Sequence, residues 1–85
     1  MVVDDKILKS YVGEYEVSPD LVITISKTGK QLKTQMTGQS EIFIIPILIN
    51  VFQVQDTERK FVFNRTNDGK VESLTLIQGG QQYTF

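Results

Sequence analysis

Residues 21–36 read Leu-Val-Ile-Thr-Ile-Ser-Lys-Thr-Gly-Lys-Gln-Leu-Lys-Thr-Gln-Met. Leu21, Ile23 and Ile25 alternate with Val22, Thr24 and Ser26. Beyond Thr28-Gly29, Leu32, Thr34 and Met36 alternate with Lys33 and Gln35. A period of two sends successive side chains to opposite faces of a strand, so each half of the stretch reads as a half-buried strand. Thr28-Gly29 between them supplies the positive φ that a tight hairpin turn demands.

The same pattern runs outward through the chain. Phe61 and Phe63 alternate with Val62 and Asn64, and Leu74 and Leu76 with Ser73 and Thr75. Ser18-Pro19-Asp20, Thr37-Gly38, Asn67-Asp68-Gly69 and Gly79-Gly80 punctuate the runs as turns. Counting runs between turns gives about eight strands. The expected fold is all-β. Connections this short cannot make parallel crossovers, so the sheet is an antiparallel up-and-down meander. Such a meander removes its exposed edges by closing into a barrel of about eight strands, with a two-sheet sandwich as the alternative. Its interior is expected to be filled by Leu21, Ile23, Ile25, Leu32, Met36, Phe52, Phe61, Phe63, Leu74 and Leu76. One short N-terminal helix precedes the sheet: Asp4 or Asp5 caps it, Ile7, Leu8 and Tyr11 fall at helical spacing, and Gly13 stops it.

Eighty-five residues support one core, so residues 1–85 are expected to form a single domain. Without cysteine there is neither a disulfide framework nor a thiolate metal site, and without histidine the usual general base is missing. Nine basic and ten acidic residues leave a net charge of −1, too even a balance to track nucleic-acid phosphates. The richest apolar run, Ile42 to Phe52, is interrupted by Pro46 and Asn50 and falls short of the ~20 apolar residues of a membrane-spanning helix, so no membrane insertion is expected. The opening Met-Val-Val-Asp-Asp lacks the basic start and apolar stretch of a secretion signal.

Short motifs resolve into structural roles. Lys27-Thr28-Gly29 matches the K-T-G triad of penicillin-recognising enzymes. No serine is followed three residues on by lysine, however, so the triad has no nucleophile to serve and reads as a hairpin turn. Glu14 and Glu16 share one strand face, as paired catalytic carboxylates would, but alternate with Tyr15 and Val17 and read as a solvated face. Asp4, Asp5, Asp56, Glu58 and Asp68 sit in caps and turns without the spacing of a calcium loop. Asn64-Arg65-Thr66 is a chance glycosylation acceptor, and Lys27, Lys30 and Lys33 are solubilising charges around a hairpin with no aromatic residues interleaved for base stacking. No catalytic residue, metal site or cofactor site is expected.

One segment breaks the alternation. Ile42-Phe43-Ile44-Ile45-Pro46-Ile47-Leu48-Ile49-Asn50-Val51-Phe52 is apolar on both faces, whereas a half-buried strand needs apolar residues only at alternate positions. With Phe52 inward, alternation places Ile47, Ile49 and Val51 outward, neighboured by Ile45 or Phe43, unless Pro46 introduces a bulge. These three form the candidate interface. Either they dock a partner or the N-terminal helix covers them through Ile7, Leu8 and Tyr11.

The order of elements, with Leu8-Lys9-Ser10-Tyr11-Val12-Gly13-Glu14-Tyr15, Lys30-Gln31-Leu32, Pro46, Phe52, Phe61-Val62-Phe63, Gly69-Lys70-Val71 and Leu74-Thr75-Leu76, resembles a known family. It is similar to the lipocalin-like C-terminal domain that follows the catalytic domain in serine hydrolases of the β-lactamase and penicillin-binding-protein-like class. The resemblance implies a small lipocalin-like barrel acting as a non-catalytic accessory module, extracytoplasmic, whose partner is the hydrolase's catalytic domain or a second copy of itself. The catalytic serine and lysine would belong to the preceding domain, so none is carried over. The final Tyr83-Thr84-Phe85 lacks the arginine often found there in that family. A small barrel protein holding an apolar ligand is the alternative reading.

Overall fold

The computed structural model describes residues 3–55 and 57–85. Helix α1 (Asp5–Tyr11) leads into eight strands: β1 (Gly13–Ser18), β2 (Leu21–Thr28), β3 (Gln31–Met36), β4 (Ile42–Leu48), β5 (Val51–Val54), β6 (Lys60–Arg65), β7 (Val71–Gln78) and β8 (Gln81–Thr84). They form one antiparallel sheet in the order β1-β2-β3-β4-β5-β6-β7-β8. Every strand pairs with its sequence neighbour, as an up-and-down meander requires. The sheet curls into a half-barrel. Its curl stops short of a hydrogen-bonded closure, leaving β1 and β8 as the two edges.

Alternation along the strands sorts the side chains. Ile23 and Ile25, Leu32 and Thr34, Ile44, Phe52 and Val54, Phe61 and Phe63, and Leu74 and Leu76 are buried on the concave side. Tyr15, Val17, Met36 and Phe85 pack against this core only partly buried. Glu14 and Glu16, alternating with Tyr15 and Val17, are exposed. The β7–β8 hairpin shows why glycine marks the turns: Gly79 and Gly80 both take positive φ, 58° and 80°, between the paired Gln78 and Gln81. That is the two-residue turn whose twist matches the flanking strands.

Helix α1 is only seven residues long, below the length at which a helix is stable in water by itself. It is held at both ends and along one side. The Asp4 side chain accepts from the Lys6 N–H at 2.8 Å, as an N-cap does. Lys27, at the end of β2, reaches Asp5 at 2.7 Å and holds that carboxyl below its ordinary pKa. Leu8 and Tyr11 turn into the concave core. The Tyr11 ring stacks on Phe63 at 4.1 Å with an interplanar angle of 11° and meets the edge of Phe52 at 5.8 Å. Its hydroxyl donates to the Ile49 carbonyl at 2.8 Å, tying the helix to the β4–β5 turn. Tyr15 completes the cluster, donating to the Tyr11 carbonyl at 2.9 Å, and burial pushes its phenol up to about 12. The helix therefore plugs one end of the half-barrel from within.

Candidate docking surface

Strand β4 carries the apolar surplus seen in the sequence. Ile44 is buried on the concave side, 2% exposed, while its neighbour Ile45 faces outward at 51%. The ladder with β5 pairs Pro46 with Phe52 and then Leu48 with Val51, so one extra residue, Ile47, bulges out of β4. Beyond the bulge the alternation between faces is lost, and Ile47, Leu48 and Ile49 are 40%, 56% and 41% exposed. Phe43, also outward, is 38% exposed. Val51 is half-buried, opposite Val62 on the neighbouring strand. Of the three residues expected at the interface, Ile47 and Ile49 are exposed at the hairpin and Val51 lies partly covered beside them. Phe43, Ile45 and Leu48 extend the surface. Only Leu48 was hidden from simple alternation, because the bulge that turns it outward shifts the register.

The helix does not lie over this face. Leu8 and Tyr11 point into the concave core, and the link from α1 to the hairpin is the Tyr11 hydroxyl on the Ile49 backbone, leaving the Ile49 side chain partly exposed. Together the five exposed residues present on the order of 400 Å² of largely apolar surface, at the size where a patch marks an interaction site.

A cleft adjoins the patch. The β3–β4 ladder consists of Thr34–Ile42, Lys33–Phe43 and Leu32–Ile44, so β4 continues past Ile44 with no β3 partner. Into this gap opens a cleft of about 220 Å³, walled by Lys30, Gln31, Phe43 and Pro46 with buried Phe52 among its lining. Gln55 donates its backbone N–H to the Phe43 carbonyl, so Phe43 and Ile45 turn their backbone groups to β5, and Ile44 and Pro46 turn theirs toward β3. Proline at this place has no N–H to leave unpaired in the gap. Lys33 overhangs the Phe43 ring at 5.3 Å from its centroid and lies 4.0 Å from Glu41. The surface is thus an apolar ridge beside a side-chain-sized notch with lysine at its rim.

The remaining motif residues are placed elsewhere. Lys27 is engaged by Asp5, and the β2–β3 turn, expected at Thr28-Gly29, is made by Gly29 and Lys30, with Thr28 still paired to Gln31 and Gly29 at a φ of 61°. The Asn64 amide donates to Ser73 and Thr75 hydroxyls at 2.9 Å each, across β6–β7. Lys27 and Lys33 have different partners, Asp5 for one and Glu41 with the Phe43 ring for the other, while Lys30 lines the cleft. Asp56 lies outside the described residues. Among the described residues no group of three histidines, cysteines or carboxylates gathers as a metal site, and no helix is long and apolar enough to cross a membrane.

No curated protein and no solved structure matches the chain. A family model described as "Domain of unknown function (DUF3471)" matches residues 2–85, nearly the whole chain, and the protein belongs to that family.

Proposed function

We propose that this domain is a non-catalytic accessory module of a serine hydrolase of the β-lactamase and penicillin-binding-protein-like class. In this reading it docks on the catalytic domain through the outer face of β4 and the β4–β5 hairpin. The observation that carries the reading is the exposed apolar ridge of Ile45, Ile47 and Leu48 beside the β3–β4 cleft. A water-facing strand gains nothing from a bulge that turns a further large apolar side chain, Leu48, outward, whereas an interface core does. About 400 Å² is roughly half the area one partner contributes to a standard interface, enough for its apolar centre with a polar rim around it. The family resemblance supplies the partner class. A chain without histidine or S-x-x-K lacks the usual means of activating a serine in that class, which fits a supporting role.

The test is made on the natural full-length polypeptide containing this sequence. Its reading frame is expected to encode S-x-x-K upstream. Ile45→Asp with Leu48→Asp is expected to free the domain from its partner, seen as faster proteolytic release and as changed turnover of a chromogenic β-lactam or activated ester. A reading frame with no such hydrolase, or a double variant released no faster than wild type, overturns the proposal.

A further inference from the structure

The concave face is filled at the α1 end but not at the other. Opposite the helix, where the β3–β4 connection meets the start of β6, a recess opens between the two sides of the half-barrel. It encloses about 20 Å³ and opens to solvent. Met36, Ile42, Phe61 and Leu76 are among its apolar walls, and its polar lining is Thr34, Gln39, Ser40 and Arg59. Thr34 is 5% exposed, the sole buried polar residue of the described core, and its hydroxyl has no hydrogen-bond partner. A buried hydroxyl offers one donor and two acceptor sites and is ordinarily satisfied. Threonine here is not forced by shape, since valine fills the same volume. Among the described residues lining the recess, Arg59 is the one that carries a charge. An apolar recess with a few polar groups is the usual build of a small-molecule site.

We propose that this recess binds short-chain aliphatic carboxylates. The carboxylate has two oxygens, one to accept from the Thr34 hydroxyl and one from the Arg59 guanidinium, and its charge is opposite to that of Arg59. The enclosed part has room for about one water-sized group, the size of a carboxylate oxygen. The tail therefore lies in the open part, against Met36, Ile42 and Leu76. A long acyl chain gains nothing further, because Phe52, Phe61, Phe63 and Leu74 fill the interior beyond. The recess lies on the concave side and the docking ridge on the outer side, so this proposal is independent of the accessory role.

The experiment is an amide chemical-shift titration of the purified chain with butyrate and octanoate, with octanol and octylamine as controls. Saturable shifts are expected at Thr34, Ile42, Arg59 and Leu76 with the two carboxylates, together with a raised Tm. Thr34→Val is expected to weaken octanoate binding at least tenfold while the rest of the spectrum is unchanged. Arg59→Gln is expected to remove the preference for octanoate over octanol. Failure to saturate with either carboxylate means that the recess holds only water and overturns the proposal. So does octanol or octylamine binding as tightly as octanoate, or a folded Thr34→Val protein that binds as wild type does.

Discussion

Removing the Tyr11 hydroxyl while keeping its ring separates the two ways in which the helix is held. In Tyr11→Phe the stack on Phe63 at 4.1 Å and the edge contact with Phe52 at 5.8 Å remain, and the bond to the Ile49 carbonyl is lost together with the hydroxyl's interaction with Arg65. A neutral hydrogen bond contributes about 1 kcal/mol net. Ile49 is 41% exposed, so water can take over its carbonyl and no buried acceptor is left unpaired. The expected cost is therefore about 0.5–1 kcal/mol, or a Tm lowered by about 4–8 °C per kcal/mol in a domain of this size. Tyr11→Ala also empties a fully buried aromatic site and is expected to cost about 3–5 kcal/mol, a large part of the total stability of a small domain. Urea unfolding followed by circular dichroism measures both, with the dependence on urea expected to stay constant. A cycle of Tyr11→Leu and Phe63→Leu is expected to return a coupling of about 0.5–1.5 kcal/mol for the stacked pair. The reasoning is refuted if Phe is as damaging as Ala, since the hydroxyl would then outweigh the packing. It is equally refuted if Ala costs under 1 kcal/mol, since the helix would then not be seated on Phe63.

Two adjacent isoleucines report the faces of β4: Ile44→Asp is expected to unfold the domain, while Ile45→Asp and Ile49→Asp leave it folded and more soluble, as thermal melts of the three variants will show. Burial holds the Tyr15 phenol protonated up to about pH 12 and raises that of Tyr11 as well, so the folded state keeps protons that the unfolded state releases near pH 10. Stability is accordingly full below pH 10 and falls as pH rises toward 12; denaturant midpoints for wild type and Tyr15→Phe measure it, and an equally steep fall in the variant refutes the assignment. Gly79→Val places a β-branched residue at a φ of 58° and is expected to destabilise the β7–β8 hairpin by about 1–2 kcal/mol, seen as a lowered urea midpoint. Turnover of a chromogenic β-lactam or activated ester by the purified chain is expected to be nil; hydrolysis abolished by one serine or lysine substitution would refute the accessory role.

The alternation of Leu21 to Met36, Phe61 to Phe63 and Leu74 to Leu76 determined strand positions and faces, because a period of two has only one geometric meaning and each turn residue has a φ to satisfy. The N-terminal helix was equally legible from Asp4, Ile7, Leu8 and Tyr11. The apolar excess of residues 42–52 also announced itself, since no strand with one buried face needs it. What the sequence left open were relations between distant residues. Whether Tyr11 covers the outer face or plugs the inner one is decided by Phe63 and Phe52, which lie far along the chain and meet it only once the sheet has curled. The bulge at Ile47 arises from how Pro46 and Leu48 pair with β5, so the outward turn of Leu48 appears only with the ladder in place. Likewise Thr34, with its unsatisfied hydroxyl, and Arg59 lie on β3 and in the β5–β6 connection, and only the curvature of the half-barrel brings both to one recess. Local pattern set each element because backbone geometry is local; burial and partnership were set by the tertiary fold, because they depend on residues that sequence order keeps apart.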